Sequence, residues 1–234
     1  MTRRRWIADE TSGNRAALVG SHAEHLSRVL RAQVGQKFDV VAGDEVRKGS
    51  ITRIDRDRVE FELGEVVQVS SSPQITLALS VFKFDRMEWA IEKCTELGVA
   101  RIIPVIAGRT ESHLAAAAPK RVERWQRIVR QAAEQSRRSS IPDVSQPIKL
   151  EDALALPGST RILLSESEQH LMLKDALQPA VLDLVLALGP EGGWTEAELD
   201  EFRGAKWISA SLGNTILRAE TAAIAALAVA LAEL

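Results

Sequence analysis

Cysteine is almost absent from this 234-residue chain. Cys94 stands alone, so no disulfide forms within it, and the composition fits a reducing cytosol. Long apolar runs are missing as well. The N-terminal MTRRRWIADETSG is basic with no apolar stretch, which argues against a signal peptide. The longest apolar run, Thr221 to Leu231, is too short and too Ala-rich to span a bilayer. There is no charge excess, since the net charge of −2 does not advertise a polyanionic partner. Neither G-x-x-x-x-G-K-[ST] nor G-x-G-x-x-G occurs, which disfavours a phosphate cradle of either kind. Metal ligands are sparse. His22 and His25 lie three apart on a predicted helix, but no third or fourth ligand is near, so no metal is expected.

What is present is unevenly distributed. Residues 1–150 carry 25 basic against 19 acidic side chains, whereas residues 151–234 carry 5 against 13. A polyanion would be gripped by the front of the chain. Residues 1–72 read as short β runs (Lys37 to Ala42, Val46 to Ile54, Arg58 to Leu63) interrupted by one helix. Ser21 and Glu24 form its predicted capping box, Leu26, Val29 and Leu30 its apolar face, and Gly35 its end. Val69 to Gln74 is the predicted linker. Strands and helices then alternate. Strands are predicted at 75–82, 101–106, 161–164, 181–188 and 206–209, and helices at 85–97, 119–138 and 218–234. This is the pattern of an α/β domain with a mostly parallel sheet. In the 119–138 helix, Val122, Trp125, Val129, Ala132 and Ala133 fall on one side. Lys120, Arg124, Arg127 and Arg138 fall on the other, which suits a solvated face or an RNA contact.

Two Gly-bearing loops stand out, each after a β-type run and before a helix. The first is Leu188-Gly189-Pro190-Glu191-Gly192-Gly193-Trp194, with Thr195 and Glu198 as a capping box. The second is Leu212-Gly213-Asn214-Thr215-Ile216-Leu217-Arg218-Ala219-Glu220. Loops at the carboxyl ends of strands are where open α/β sheets bind ligands, and glycines let a ligand approach bare backbone. The first loop taken alone also reads as a plain turn before a capped helix.

GPEGG followed by LGNTILRAET resembles the RsmE family, methyltransferases that modify N3 of a uridine in 16S ribosomal RNA with S-adenosylmethionine. HLSRVLRAQVGQ, Lys83 with EKCTELGV, and QAAEQSRR with Pro142 match further family blocks in order, so the resemblance covers nearly the whole chain. It implies an N-terminal PUA-like β-barrel RNA-binding domain at 1–72. It also implies a C-terminal SPOUT-type α/β knot, the methyltransferase domain, at 73–234. A homodimer through the closing helix, a cytoplasmic location and the small ribosomal subunit as substrate follow from the same resemblance.

The implied site residues are Leu164, Leu188, Gly189, Pro190, Glu191, Gly192, Gly193, Leu212, Gly213, Asn214, Ile216 and Leu217 for the cofactor. Arg3, Arg4, Arg5, Arg31, Gln135 and Arg138 are the candidates for RNA; Arg3 to Arg5 read equally well as a solvated tail. Arg218 is the candidate for stabilising the imidate anion. Glu220 is either the base or, as the favoured reading, an ion-pair partner of Arg218. Thr215 and Ala219 depart from the family's LGxRILRTETA, which removes one possible RNA contact. A non-catalytic RNA binder and a nucleotide-binding α/β enzyme are the competing readings.

Overall fold

The computed structural model describes residues 5–43, 45–67, 73–136, 138, 140–177 and 183–234. Arg3 and Arg4 lie outside them. The chain divides into two compact units, Met1–Ser71 with Ala133–Ile141, and Ser72–Ala132 with Pro142–Leu234.

The first unit is a curled six-stranded sheet. Its strands are β1 (Arg5–Ile7), β2 (Glu10–Ser12), β3 (Arg15–Val19), β4 (Lys37–Ala42), β5 (Glu45–Ile54) and β6 (Arg58–Val66), in the order β1-β4-β5-β6-β3-β2. Alternation along β6 sends Val59, Phe61 and Leu63 inward to meet Trp6, Leu18, Val40 and Ile51. Gly49 is required at its place in β5, because a Cβ there would lie 2.6 Å from Val40 Cγ2.

The helix of this unit departs from expectation. α1 (Ser21–Glu24) starts at Ser21 itself; Gly20, at φ 58°, is the N-cap, and Ser21 makes no side-chain cap. A π-helical turn, His25–Val29, follows and ends the helix at Leu30, well before Gly35. Ser27 Oγ donates to the Ala23 carbonyl oxygen at 2.7 Å, a back-bond that competes with the helical ladder. Arg31 then turns left-handed, at φ 50°. The widened turn rotates the expected apolar face, so Leu26 is buried while Val29 and Leu30 are exposed.

The second unit is built on seven strands: β7 (Gln74–Ser80), β8 (Arg101–Ile106), β9 (Asp143–Val144), β10 (Ile148–Lys149), β11 (Thr160–Leu164), β12 (Asp183–Leu188) and β13 (Ile208–Ala210). All the pairings are parallel, in the order β10-β8-β7-β12-β11-β13 with β9 beside β8. The central strands are apolar on both faces, as a covered parallel sheet requires. The last predicted strand begins later than expected because Lys206 has φ 62°, outside the β region.

The helices are α2 (Phe84–Leu97), α3 (Ser112–Ala117), α4 (Val122–Gln135), α5 (Leu150–Leu154), α6 (Leu173–Ala176), α7 (Glu196–Gly204) and α8 (Ala219–Glu233). The long helix predicted over 119–138 is shorter than expected: a 3₁₀ turn, Ala118–Arg121, precedes α4, which stops at Gln135. Its apolar side, from Val122 to Ala133, is buried. Gly98 ends α2, with its N–H bonded to the Cys94 and Thr95 carbonyl oxygens.

Candidate active site

Parallel strands deliver their following loops to one edge of the sheet. The segments after β7, β8, β11, β12 and β13 therefore meet around one cavity of about 510 Å3, whose walls all belong to the second unit. That volume lies within the range of small-molecule sites. Of the twelve residues expected to hold a cofactor, ten line it. Gly192 turns instead toward Arg109, and Asn214 is exposed outside the lining.

The first loop is fixed by short contacts. Thr195 is the N-cap of α7 and accepts from the Glu198 N–H at 3.2 Å, while Glu198 Oε2 accepts from the Thr195 N–H at 2.8 Å, completing the predicted capping box. Glu198 is buried and does more: its Oε1 accepts from the Gly108 N–H at 2.7 Å, joining this loop to the one after β8. Arg109 adds a second tie, donating to the carbonyl oxygens of Gly192 at 2.7 Å and Trp194 at 3.1 Å. Trp194 packs edge-on against Phe202 and donates from Nε1 to the Leu164 carbonyl oxygen at 3.0 Å, so the floor contacts the end of β11. Gly189 lies against that indole, and Gly193, at φ 68°, lies against Glu166. A Cβ on Gly193 would come within 2.8 Å of Glu166 Oε1.

Cations absent from the first loop arrive from the start of α2. Arg86 donates to Glu191 Oε1 at 2.8 Å, and Lys83 lies 3.8 Å from Glu191 Oε2. Glu191 is thus a brace between loop and helix. Arg86 Nε is also 3.9 Å from Glu220 Oε1, which corrects the expected Arg218–Glu220 pair: Glu220 is buried and faces Arg86, while Arg218 is the exposed N-cap of α8. Arg218 lines the cavity and Glu220 does not. Sequence reading missed Arg86, Arg109 and Glu166. Their only signal was position, since each falls just beyond the carboxyl end of a strand.

The RNA candidates described here belong to the first unit. Arg5 opens β1, Arg31 is exposed, and Gln135 is the last residue of α4. Partial burial pulls the Arg138 guanidinium down to about 10, still protonated at neutral pH. Beside the cavity, backbone N–H groups of His170 and Leu171 hold Glu168 below the ordinary carboxylate range. Cys94 is buried in α2, which pushes its thiol up to about 12 and makes it a poor nucleophile.

The lining suits a ligand with an apolar ring system and a charged tail. Leu164, Leu188, Pro190, Leu212 and Leu217 supply apolar surface, glycine backbone is bare, and charges of both signs are present. S-adenosylmethionine has those features, so the residues present fit it.

Residues 70–231 match the model of a family described as an RNA methyltransferase domain. A curated relative, the ribosomal RNA small subunit methyltransferase E of a Synechocystis strain, is 34% identical over 223 residues, 90% of this chain and 71% of the relative. A crystal structure of the enzyme of that name from Neisseria gonorrhoeae, bound to S-adenosyl methionine, superposes with a TM-score of 0.85 at 32% identity. It covers 97% of this chain and 95% of that one. A methyltransferase structure from Legionella pneumophila with bound SAM gives 0.83 at 30% identity, covering 98% and 96%.

Proposed function

Because the chain belongs to the ribosomal RNA small subunit methyltransferase E family, we propose that it methylates N3 of a uridine in small-subunit ribosomal RNA, using S-adenosylmethionine. The carrying observation is the shared cavity of the two Gly-bearing loops, with Arg218 exposed on its lining. Leu164, the first loop from Leu188 to Glu191 with Gly193, and Leu212, Gly213, Ile216 and Leu217 of the second would hold the cofactor. When bound, it supplies a methyl group on a sulfonium, which is electrophilic without a metal.

The chain's own residues supply the rest. A neutral uracil N3 is a poor nucleophile until its proton leaves, and the resulting charge spreads over the imide. Arg218 forms no ion pair among the described residues, so its guanidinium is available to stabilise that charge. Glu220, 6% exposed and facing Arg86, acts as a positioning residue rather than as the base. Arg86 thereby joins the end of the second loop to Glu191 of the first, and holding both walls keeps the reacting atoms aligned.

The first unit would grip RNA through Arg5, Arg31, Gln135 and Arg138, by phosphate contacts that are sequence-independent. The outward side of α8 carries Thr221, Ala225, Ala228 and Ala232, and α2, packed beside it, exposes Trp89 and Leu97. That apolar strip suits a homodimer seam. No helix among the described residues is long and apolar enough to cross a membrane, and a ribosome-directed enzyme would work in the cytoplasm.

The test is incubation with labelled S-adenosylmethionine and small subunits lacking the modification, followed by nucleoside analysis. Label in 3-methyluridine is expected. Label in another nucleoside refutes the N3 assignment, and no label with such subunits refutes the activity.

A further inference from the structure

We propose that Glu166 is the counter-charge for a cationic centre of S-adenosylmethionine, its sulfonium or its ammonium. The inference rests on the methyltransferase reading above and adds a residue to the same site.

Three carboxylates line the cavity, Glu166, Glu191 and Glu196. Glu191 is neutralised by Arg86 and Lys83. Glu196 sits in the first turn of α7, where the helix dipole and free N–H groups offset an anion. Glu166 has neither. It follows β11, is exposed, and has no ion pair or hydrogen bond among the described residues. Arg109, another cation of the lining, donates through Nη1 to the Gly192 and Trp194 carbonyl oxygens and forms no ion pair with Glu166.

Position agrees with charge. Glu166 Oε1 lies so close to Gly193 that any side chain there would meet it. The carboxylate therefore borders the bare backbone of the first loop, where the cofactor is held. Leu164, two residues before it, also lines the cavity and is tied to Trp194. A cation seated there is drawn to Glu166, and cover by the ligand strengthens the attraction by removing water.

The test is calorimetric binding of S-adenosylmethionine and of its demethylated product to the full-length apoprotein, for wild type, Glu166→Gln and Glu166→Asp. Melting temperatures check folding; the exposed position predicts no change. Glu166→Gln should weaken S-adenosylmethionine by roughly three- to ten-fold, with Glu166→Asp falling between it and wild type. Loss for S-adenosylmethionine alone assigns the sulfonium, because the product lacks that charge. Equal loss for both ligands assigns the ammonium, which they share. Affinities of Glu166→Gln within two-fold of wild type for both ligands overturn the proposal while leaving the methyltransferase reading intact. Failure of wild type to bind S-adenosylmethionine overturns both.

Discussion

Replacing Glu198 with alanine tests whether one buried carboxylate holds two active-site loops together. Three hydrogen-bond donors converge on it: the Gly108 N–H at 2.7 Å, the Thr195 N–H at 2.8 Å and the Thr195 hydroxyl at 2.9 Å. Glu198→Ala leaves both N–H groups without an acceptor, at about 1–3 kcal/mol each where water is excluded. It also takes the acceptor from the Thr195 hydroxyl, worth about 1 kcal/mol. Both sites are only partly buried, so the lower part of the range applies, and the expected loss is about 3–5 kcal/mol. For a chain of this size that is a fall in melting temperature of roughly 6–15 °C. Glu198→Gln keeps the shape but turns an amide N–H2 toward a donor, and should lose about half as much. Thr195→Ala removes the cap hydroxyl alone and should lose about 1 kcal/mol. The assay is reversible urea unfolding alongside S-adenosylmethionine affinity. The affinity should fall in the same order, because the first loop loses its anchor to the loop after β8. If Glu198→Ala stays within about 1 kcal/mol of wild type, the carboxylate is not the anchor, and the reasoning fails.

Arg218→Ala should lower the methylation rate by about two to three orders of magnitude while leaving the melting temperature unchanged, since the side chain is exposed; full activity in single-turnover assays would remove its role. Arg86→Gln should weaken S-adenosylmethionine binding and destabilise the fold by about 1–2 kcal/mol, because Glu220 is left buried without its cation; unfolding and calorimetry that match wild type would break the link between the loops. Gly193→Ala forces a left-handed backbone on a residue with a side chain, costing roughly 1–2 kcal/mol, and pushes Glu166 aside; an unchanged cofactor affinity would mean the close approach is irrelevant to binding. Burial of Cys94 raises its thiol from 9.0 to about 12, so the unfolded state ionises first. Stability should therefore be unaffected below pH 9 and decline between pH 9 and 12, by up to about 4 kcal/mol, an effect that Cys94→Ala abolishes. A thiol-reactive dye should label native protein at pH 8 only as fast as it unfolds; rapid labelling would contradict the burial.

The amino-acid sequence by itself determined the alternation of the second unit, the parallel character of its sheet and the two Gly-bearing loops. These follow from local rules. Asp183–Leu188 is an apolar run bounded by glycine, Thr195 and Glu198 form a capping box across three residues, and the segregated faces of Val122–Gln135 follow helical spacing. Local rules failed where a local competitor or a distant neighbour intervened. Ser21 was displaced as a cap by Gly20, whose φ of 58° only glycine adopts readily, and the back-bond from Ser27 accompanied a π turn that no periodicity announces. Glu220 is two residues from Arg218, yet it faces Arg86, 134 positions earlier in the chain. Arg86, Arg109 and Glu166 entered the site only because parallel pairing places the ends of β7, β8, β11 and β12 at one edge. A ligand pocket at that edge is a property of strand order. Spacing along the chain carries the elements, while the charges that meet across the pocket are chosen by which strands become neighbours.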